Sequence, residues 1–180
     1  MNLKITILLI LVALHTNAPA QDLLSLKGTI FEEVGSSHQI DPLLLYSVAI
    51  VESGTGTGIG KGYIRPYPYV LRTDEGAVFY KTSEEASFAL SQIIKKTHKV
   101  DIGMMQLSLK WHPQAEPLKL IDPRTNLIAA ATYLKETMAS TSDPVLGVGR
   151  YHNWGDVNRA NWYGQRVWQV YNNLTSLMAN

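Results

Sequence analysis

The residue best suited to acid–base chemistry is Glu52, which lies near the end of the apolar segment 42–53. Asp41 is a favourable N-cap residue and Pro42 fits the first helical position, while Gly54 can end the last turn. The segment therefore predicts a helix that begins at Pro42 and carries a carboxylic acid in its final turn. Helical spacing places four apolar residues on the same face as this acid: Leu44, Leu45, Val48 and Ala49.

A carboxylic acid among apolar neighbours is expected to keep its proton at higher pH. Desolvation raises the pKa of a carboxyl group, and the negative end of a helix dipole acts in the same direction. Both effects suit Glu52 to general acid catalysis, such as protonation of a glycosidic oxygen. The structural alternative is a glutamate that reaches solvent or pairs with an arginine. The helix alone does not decide between them.

The start of the chain has the composition of a signal peptide. Met1 to Lys4 form a short positive segment, residues 5–14 are apolar, and Ala18-Pro19-Ala20 resembles a cleavage site. Ten apolar residues are too few to cross a bilayer, although an uncleaved anchor is the alternative. We expect residues 1–20 to be removed, which leaves a single domain of residues 21–180 that is exported to the periplasm without stable membrane insertion.

Composition excludes several functional classes. The chain has 16 basic and 15 acidic residues, and removal of the leader with Lys4 leaves equal numbers. Such a neutral protein has no electrostatic support for binding nucleic acid. Cysteine is absent, which excludes a thiol nucleophile and suits an exported bacterial protein without disulfides. The histidines have no metal-ligand spacing and no Gly-x-Ser-x-Gly motif is present, so we expect no metal, no cofactor and no serine-hydrolase triad.

The remaining patterns predict a mainly α-helical domain with one small β-hairpin. Amphipathic or capped segments predict helices from about residue 23 to Gly35, 84–96, from Asp122, from Asp143 and 158–177. Residues 70–72 and 77–80 flank a turn and predict the hairpin. The glycines between residues 54 and 62 predict a loop. The last helix is expected to pack an aromatic face into the core that includes Trp162 and Tyr163.

Four segments, in this order, resemble the lytic transglycosylases with a lysozyme-like domain, especially the small exported enzymes of conjugation and secretion systems. Residues 49–53 are similar to the family's helix-ending Glu-Ser, and 101–106 (Asp-Ile-Gly-Met-Met-Gln) to its Gly-Leu-Met-Gln segment. Residues 126–134 resemble its Asn-led helix ending in Tyr-Leu, and 149–152 lie where its Ala-Tyr-Asn occurs. The resemblance implies an α+β lysozyme-like fold and peptidoglycan as substrate.

The resemblance also implies an activity and a set of site residues. The family cleaves the β-1,4 bond between N-acetylmuramic acid and N-acetylglucosamine and forms a 1,6-anhydro sugar. Glu52 would act as the acid and then as the base, and the protein would be a monomer that serves local wall opening beside an envelope-spanning machine. Substrate-binding roles carry over to Ser53, Met105, Gln106, Tyr151 and His152.

Two departures from the family pattern affect the substrate contacts more than the acid. His152 stands where asparagine is common, and residues 54–99 are longer than in compact members. No second catalytic carboxylate is evident, since Asp101 precedes an apolar segment and the other candidates suit turns or caps. The alternatives are a hydrolytic lysozyme of the same fold and a non-catalytic peptidoglycan-binding scaffold.

Overall fold

The computed structural model describes residues 25–55 and 64–179. The predicted signal peptide and most of the predicted glycine-rich loop lie outside these residues. The described chain is mainly α-helical with a small antiparallel sheet, as the sequence predicts. Its elements are α1 (Ile30–His38), α2 (Pro42–Ser53), β1 (Val70–Thr73), β2 (Gly76–Phe79), α3 (Ser83–Ile93), β3 (Asp101–Ile102), β4 (Leu107–Ser108), a 3-10 helix (Pro117–Ile121), α4 (Pro123–Ala139), α5 (Pro144–Gly149) and α6 (Val157–Met178).

Aspartate side chains start four of the helices by accepting bonds from free backbone N–H groups. Asp41 caps α2 with a bond of 2.8 Å from Leu43 N, and Asp122, Asp143 and Asp156 cap α4, α5 and α6 in the same way. Three of these aspartates precede a proline, which is favourable at the first helical position. The predicted starts of α2, α4 and α5 are therefore confirmed. Thr82 caps α3, which begins at Ser83, one residue before the start that the sequence predicts.

The first helix differs from its predicted boundaries. It begins at Ile30 and continues to His38, beyond the predicted end at Gly35. Gly35 lies inside the helix. The chain that follows the helix packs against this residue, and an added Cβ would be 2.9 Å from the carbonyl oxygen of Ile40. The glycine therefore marks a close approach of the backbone, and the prediction that it ends the helix was wrong.

The predicted hairpin is part of a larger sheet. β1 and β2 pair as expected, with Thr73 opposite Gly76, but β1 also pairs with β3, which pairs with β4. The four strands have the order β2-β1-β3-β4. The prediction of a lone hairpin was wrong because two-residue strands carry no periodic pattern of their own. The register aligns Arg72, Asp101 and Ser108 side by side across β1, β3 and β4.

Helix α2 passes through the core and contacts both α1 and α6. Leu45, Val48 and Ala49 are fully buried on this helix, as its apolar face predicts. Helices α5 and α6 cross closely at Gly149, where a Cβ would lie 2.0 Å from the carbonyl oxygen of Ala160. Of the helices described, none combines the length and the apolar character needed to cross a membrane.

Candidate active site

A cavity of about 980 Å³ opens where the end of α2 meets the sheet, the segment after α5 and the start of α6. Its volume is at the upper end of the range for ligand sites in proteins. The lining combines aromatic rings with carboxylates, cationic groups and two amides. The lining residues are Val51, Glu52, Arg72, Asp101, Gln106, Leu107, Ser108, Trp111, His112, Tyr133, Glu136, Tyr151, His152, Asn153, Trp154, Gly155, Trp162, Tyr163 and Arg166.

Glu52 lies in this cavity, in the last turn of α2, and its side chain is partly exposed. The Tyr163 hydroxyl on α6 donates a hydrogen bond of 2.6 Å to Oε1 of Glu52. The carboxyl group has a second oxygen, Oε2, to which none of the described side chains donates a hydrogen bond. The protein thus holds one of the two carboxyl oxygens through Tyr163.

The surroundings of Glu52 raise its pKa from 4.5 to about 7. Desolvation by the surrounding protein is the largest cause, and the negative charge of Asp101 adds to it. The hydrogen bond from Tyr163 and the positive charge of Arg72 act in the opposite direction. A pKa near neutrality lets one carboxyl group first give and then take a proton at the same pH.

Asp101 is a second carboxylate in the same cavity, which the sequence did not indicate. It lies on β3 between Arg72 on β1 and Ser108 on β4. Burial raises the pKa of Asp101, while the Ser108 hydrogen bond and the charge of Arg72 lower it. Asp101 therefore interacts electrostatically with Glu52 from the sheet side of the cavity, and its position bears on whether one or two carboxylates take part in the reaction.

Gln106 lies in the cavity wall and is tied to the protein by both ends of its amide. Its Oε1 accepts a bond of 3.2 Å from Nε of Arg72, and its Nε2 donates a bond of 2.8 Å to the Gly103 carbonyl. The side chain lines the cavity, and its amide holds both the Arg72 guanidinium and the backbone of the turn. Gln106 has φ of 46°, and this backbone conformation depends on the surrounding turn.

The turn that carries Gln106 is held by Asn126, which is fully buried at the start of α4. Asn126 Oδ1 accepts from Met105 N at 2.9 Å, and its Nδ2 donates to the Ile102 carbonyl at 2.9 Å. Gly103 has φ of 74°, and a Cβ there would lie 2.5 Å from Nδ2 of Asn126. The glycine is required both by its conformation and by this close approach.

Tyr151 and His152 both line the cavity, as predicted, but neither makes the hydrogen bond to Glu52. The Tyr151 hydroxyl donates to the Met105 carbonyl at 2.7 Å, and the hydroxyl that contacts Glu52 is that of Tyr163. Burial and then the charge of Glu52 raise the pKa of Tyr151, which indicates that the two groups are near each other. His152 stacks on Tyr163 with ring centroids 4.8 Å apart and planes 5° apart.

Ser53 and Met105 lie outside the cavity wall. Ser53 is buried, and its hydroxyl donates to the Ala49 carbonyl and accepts from Tyr67 N at 3.1 Å. It therefore fixes the chain after α2 against the end of that helix. The Met105 side chain is fully buried in the hydrophobic core, so its predicted place in the lining was wrong. Met105 contributes to the site only through the backbone carbonyl that receives Tyr151.

Three exposed tryptophans line the cavity, and the sequence did not assign them to the site. Trp111, Trp154 and Trp162 expose 69 %, 49 % and 55 % of their surface. Trp162 was predicted to face the core, and this was wrong because α6 packs through Ala160, Tyr163, Gly164 and Val167. Tyr67, which lies just before the hairpin, does not line the cavity and packs locally. Tyr67 contacts Phe79 and donates to the Tyr80 carbonyl.

Among the described residues, no cluster of three or more carboxylate or imidazole side chains is arranged to hold a metal ion. Comparison of the chain with protein families, with curated proteins and with solved structures finds no match.

Proposed function

We propose that this protein is a peptidoglycan lytic transglycosylase with a lysozyme-like fold. The observation that carries the proposal is the placement of Glu52, which has a pKa of about 7 and is bonded to Tyr163 in a cavity lined by tryptophans. Exposed aromatic rings beside a few polar groups suit a sugar polymer, because aromatic faces pack on apolar surface and polar groups fix orientation. The predicted leader supports export to the periplasm, where peptidoglycan is the available glycan.

The reaction needs one group that changes protonation state. Protonated Glu52 gives its proton to the glycosidic oxygen as the bond from C1 to that oxygen breaks, and the released sugar leaves as an alcohol. The Glu52 carboxylate then takes the proton of the C6 hydroxyl while the C6 oxygen bonds to C1. The products are a 1,6-anhydro end and a free hydroxyl, and Glu52 is again protonated. No water is consumed.

The remaining polar groups of the cavity position this chemistry. Tyr163 holds one oxygen of Glu52, which orients the other toward the glycosidic oxygen. Arg72 is held in place by Gln106, and its charge favours the carboxylate form of Glu52 that takes the second proton. Trp111, Trp154 and Trp162 provide stacking surfaces for sugar rings along the cavity.

The proposal is tested with purified peptidoglycan and the Glu52→Gln variant. The wild-type protein is expected to release soluble fragments, and the variant is expected to release none because an amide cannot donate the required proton. Glu75→Gln is the matched control, since Glu75 lies in the exposed turn between β1 and β2. Turnover by Glu52→Gln, with a fold unchanged by circular dichroism, would refute the assignment of the acid.

A hydrolytic lysozyme of the same fold is the second candidate, and Asp101 is the observation that favours it. Glycosidases with two carboxylates use the second as a base or a nucleophile. Asp101 and Glu52 line one cavity and interact electrostatically. A hydrolase would produce reducing ends and would need Asp101, whereas the single-acid lyase retains turnover when Asp101 is replaced by asparagine.

A further inference from the structure

A second, smaller cavity of about 350 Å³ adjoins the proposed active site on the side of the sheet. The two cavities share Arg72, Asp101, Ser108 and Trp111 in their walls, so they lie on either side of these residues. The side cavity is also lined by Thr73, Asp74, Lys99 and Lys110. A branch that leaves the main cavity past these shared residues therefore enters the side cavity.

Cationic groups outnumber carboxylates in the side cavity. Arg72, Lys99 and Lys110 face Asp74 and Asp101, and only Lys99 forms an ion pair, at 3.6 Å from Oδ2 of Asp74. Both members of that pair are largely exposed, so water screens it and it contributes little. The charge balance therefore favours a ligand that brings its own negative charge.

Two of the cations form no ion pair within 4 Å with the carboxylates that the structure describes, although the charge of Arg72 acts on Asp101 and Glu52 at longer range. The Lys110 ammonium lies 4.1 Å from the centre of the Trp111 ring. The Arg72 guanidinium uses Nε for Gln106, and neither residue forms an ion pair among the described residues. Lys110 and Arg72 both line the side cavity, where an anionic group can form charge-assisted hydrogen bonds with them.

We propose that the side cavity binds a carboxylate-bearing peptide substituent on the sugar strand. This inference rests on the proposed function, because a stem peptide branches from the muramic acid that would occupy the main cavity. The stem has free carboxylates, and these complement Lys110, Arg72 and Lys99. The protein then binds strands that carry stems more tightly than bare glycan, and the side cavity determines that preference.

The test measures binding by calorimetry to two substrates that differ only in the stems: peptidoglycan strands and the same strands stripped by an amidase. The Glu52→Gln variant is used throughout so that the strands are not cut. It is expected to bind stem-bearing strands about tenfold more tightly, as the sum of several exposed cation–carboxylate contacts that each contribute less than about 1 kcal/mol. The preference is expected to fall as salt is added.

Lys110→Met in the same background removes the charge and keeps an apolar chain over Trp111, and it is expected to lose most of the preference. The control Lys95→Met alters an exposed lysine after α3 and is expected to keep it. Equal binding of the two strands, or an unchanged preference in Lys110→Met, overturns the side-cavity assignment while leaving the proposed function intact. Absence of glycan cleavage by the wild-type protein overturns the proposed function, whatever the binding preference.

Discussion

The hydrogen bond between Tyr163 and Glu52 determines both the orientation and the proton affinity of the acid. The tyrosine hydroxyl donates to the carboxylate more strongly than to the neutral acid, so it lowers the pKa of Glu52. Desolvation outweighs this effect, and the pKa stays near 7. Removing the hydroxyl therefore changes Glu52 in two ways: its side chain loses the bond that orients it, and its pKa rises.

We predict that Tyr163→Phe reduces the maximal rate of glycan cleavage and moves the alkaline limb of the pH–rate profile upward by about one unit. The limb moves upward because Glu52 keeps its proton to a higher pH. The phenyl ring still stacks on His152, which preserves the packing. Tyr171→Phe is the control, since Tyr171 lies on the same helix and bonds Asp41 away from the cavity. An unshifted limb in Tyr163→Phe would contradict the assigned role.

Asp101→Asn is expected to move the same limb in the opposite direction. The negative charge of Asp101 raises the pKa of Glu52, so its removal lowers that pKa and the acid loses its proton at a lower pH. Asparagine keeps a polar group beside Ser108. Turnover is expected to persist near pH 5, measured as soluble fragments released. Complete loss of turnover at every pH would instead indicate that Asp101 takes part in the chemistry.

At this scale the sequence singled out Glu52 as a candidate acid but did not indicate Tyr163, which donates a hydrogen bond to it. Glu52 was recognisable because a helical period placed it on an apolar face, which is local information. Tyr163 is 111 positions away, and its contact depends on how α6 crosses α2. The sequence does indicate that a buried tyrosine hydroxyl such as that of Tyr163 needs a hydrogen-bond partner. It does not indicate which residue that partner is.

At the scale of elements, the turn between β3 and β4 depends on Asn126 reaching across from α4. The amide of Asn126 bonds the backbone on both sides of Gly103, and the turn in turn places Gln106 and the Met105 carbonyl. One buried side chain thus connects the sheet to the helices that complete the cavity. Its removal leaves a backbone N–H and a backbone carbonyl without partners in the core.

Asn126→Ala is predicted to lower the free energy of unfolding by about 3 kcal/mol, since two buried backbone groups lose their hydrogen bonds. The measurement is denaturant unfolding followed by circular dichroism. Asn172→Ala provides the matched control, because Asn172 is exposed on α6 and is expected to change stability by less than about 0.5 kcal/mol. Equal stabilities of the two variants would show that the turn does not depend on the amide.

The helices were more predictable than the sheet. Asp41, Asp122 and Asp143 each precede a proline, and these local signals gave the starts of α2, α4 and α5. β3 and β4 have two residues each, and they exist only because β1 lies beside them. The side-by-side arrangement of Arg72, Asp101 and Ser108 follows from this pairing, so the sheet side of the site could not be predicted from local patterns.

At the scale of the whole molecule, keeping Glu52 in its cavity reduces stability at alkaline pH. The pKa of Glu52 is about 7 in the folded protein and 4.5 as its unperturbed value. Between these values the folded state binds more protons than the unfolded state, so stability falls as pH rises from about 4.5 through about 7. Below this range the carboxyl group of Glu52 is protonated in both states, so its burial costs the folded protein no stability through a buried charge.

Glu52→Gln is therefore predicted to be more stable than the wild type at pH 8, by up to about 3 kcal/mol, and equally stable near pH 4. Glutamine carries no charge to desolvate, and its side-chain oxygen still accepts from Tyr163. Thermal and denaturant unfolding at the two pH values measure the difference, with Glu75→Gln as an exposed control. A variant that gains nothing at pH 8 would mean that Glu52 has an ordinary pKa.

The most direct test of the proposed reaction is the mass of the sugar ends that the wild-type protein produces from purified peptidoglycan. Attack by the C6 hydroxyl predicts 1,6-anhydromuramic ends, each lighter by one water than a reducing end, and their absence in Glu52→Gln. Reducing ends would assign the site to hydrolysis with Asp101 as its second carboxylate. Recovery of intact strands from the wild-type protein would contradict catalysis by Glu52 altogether.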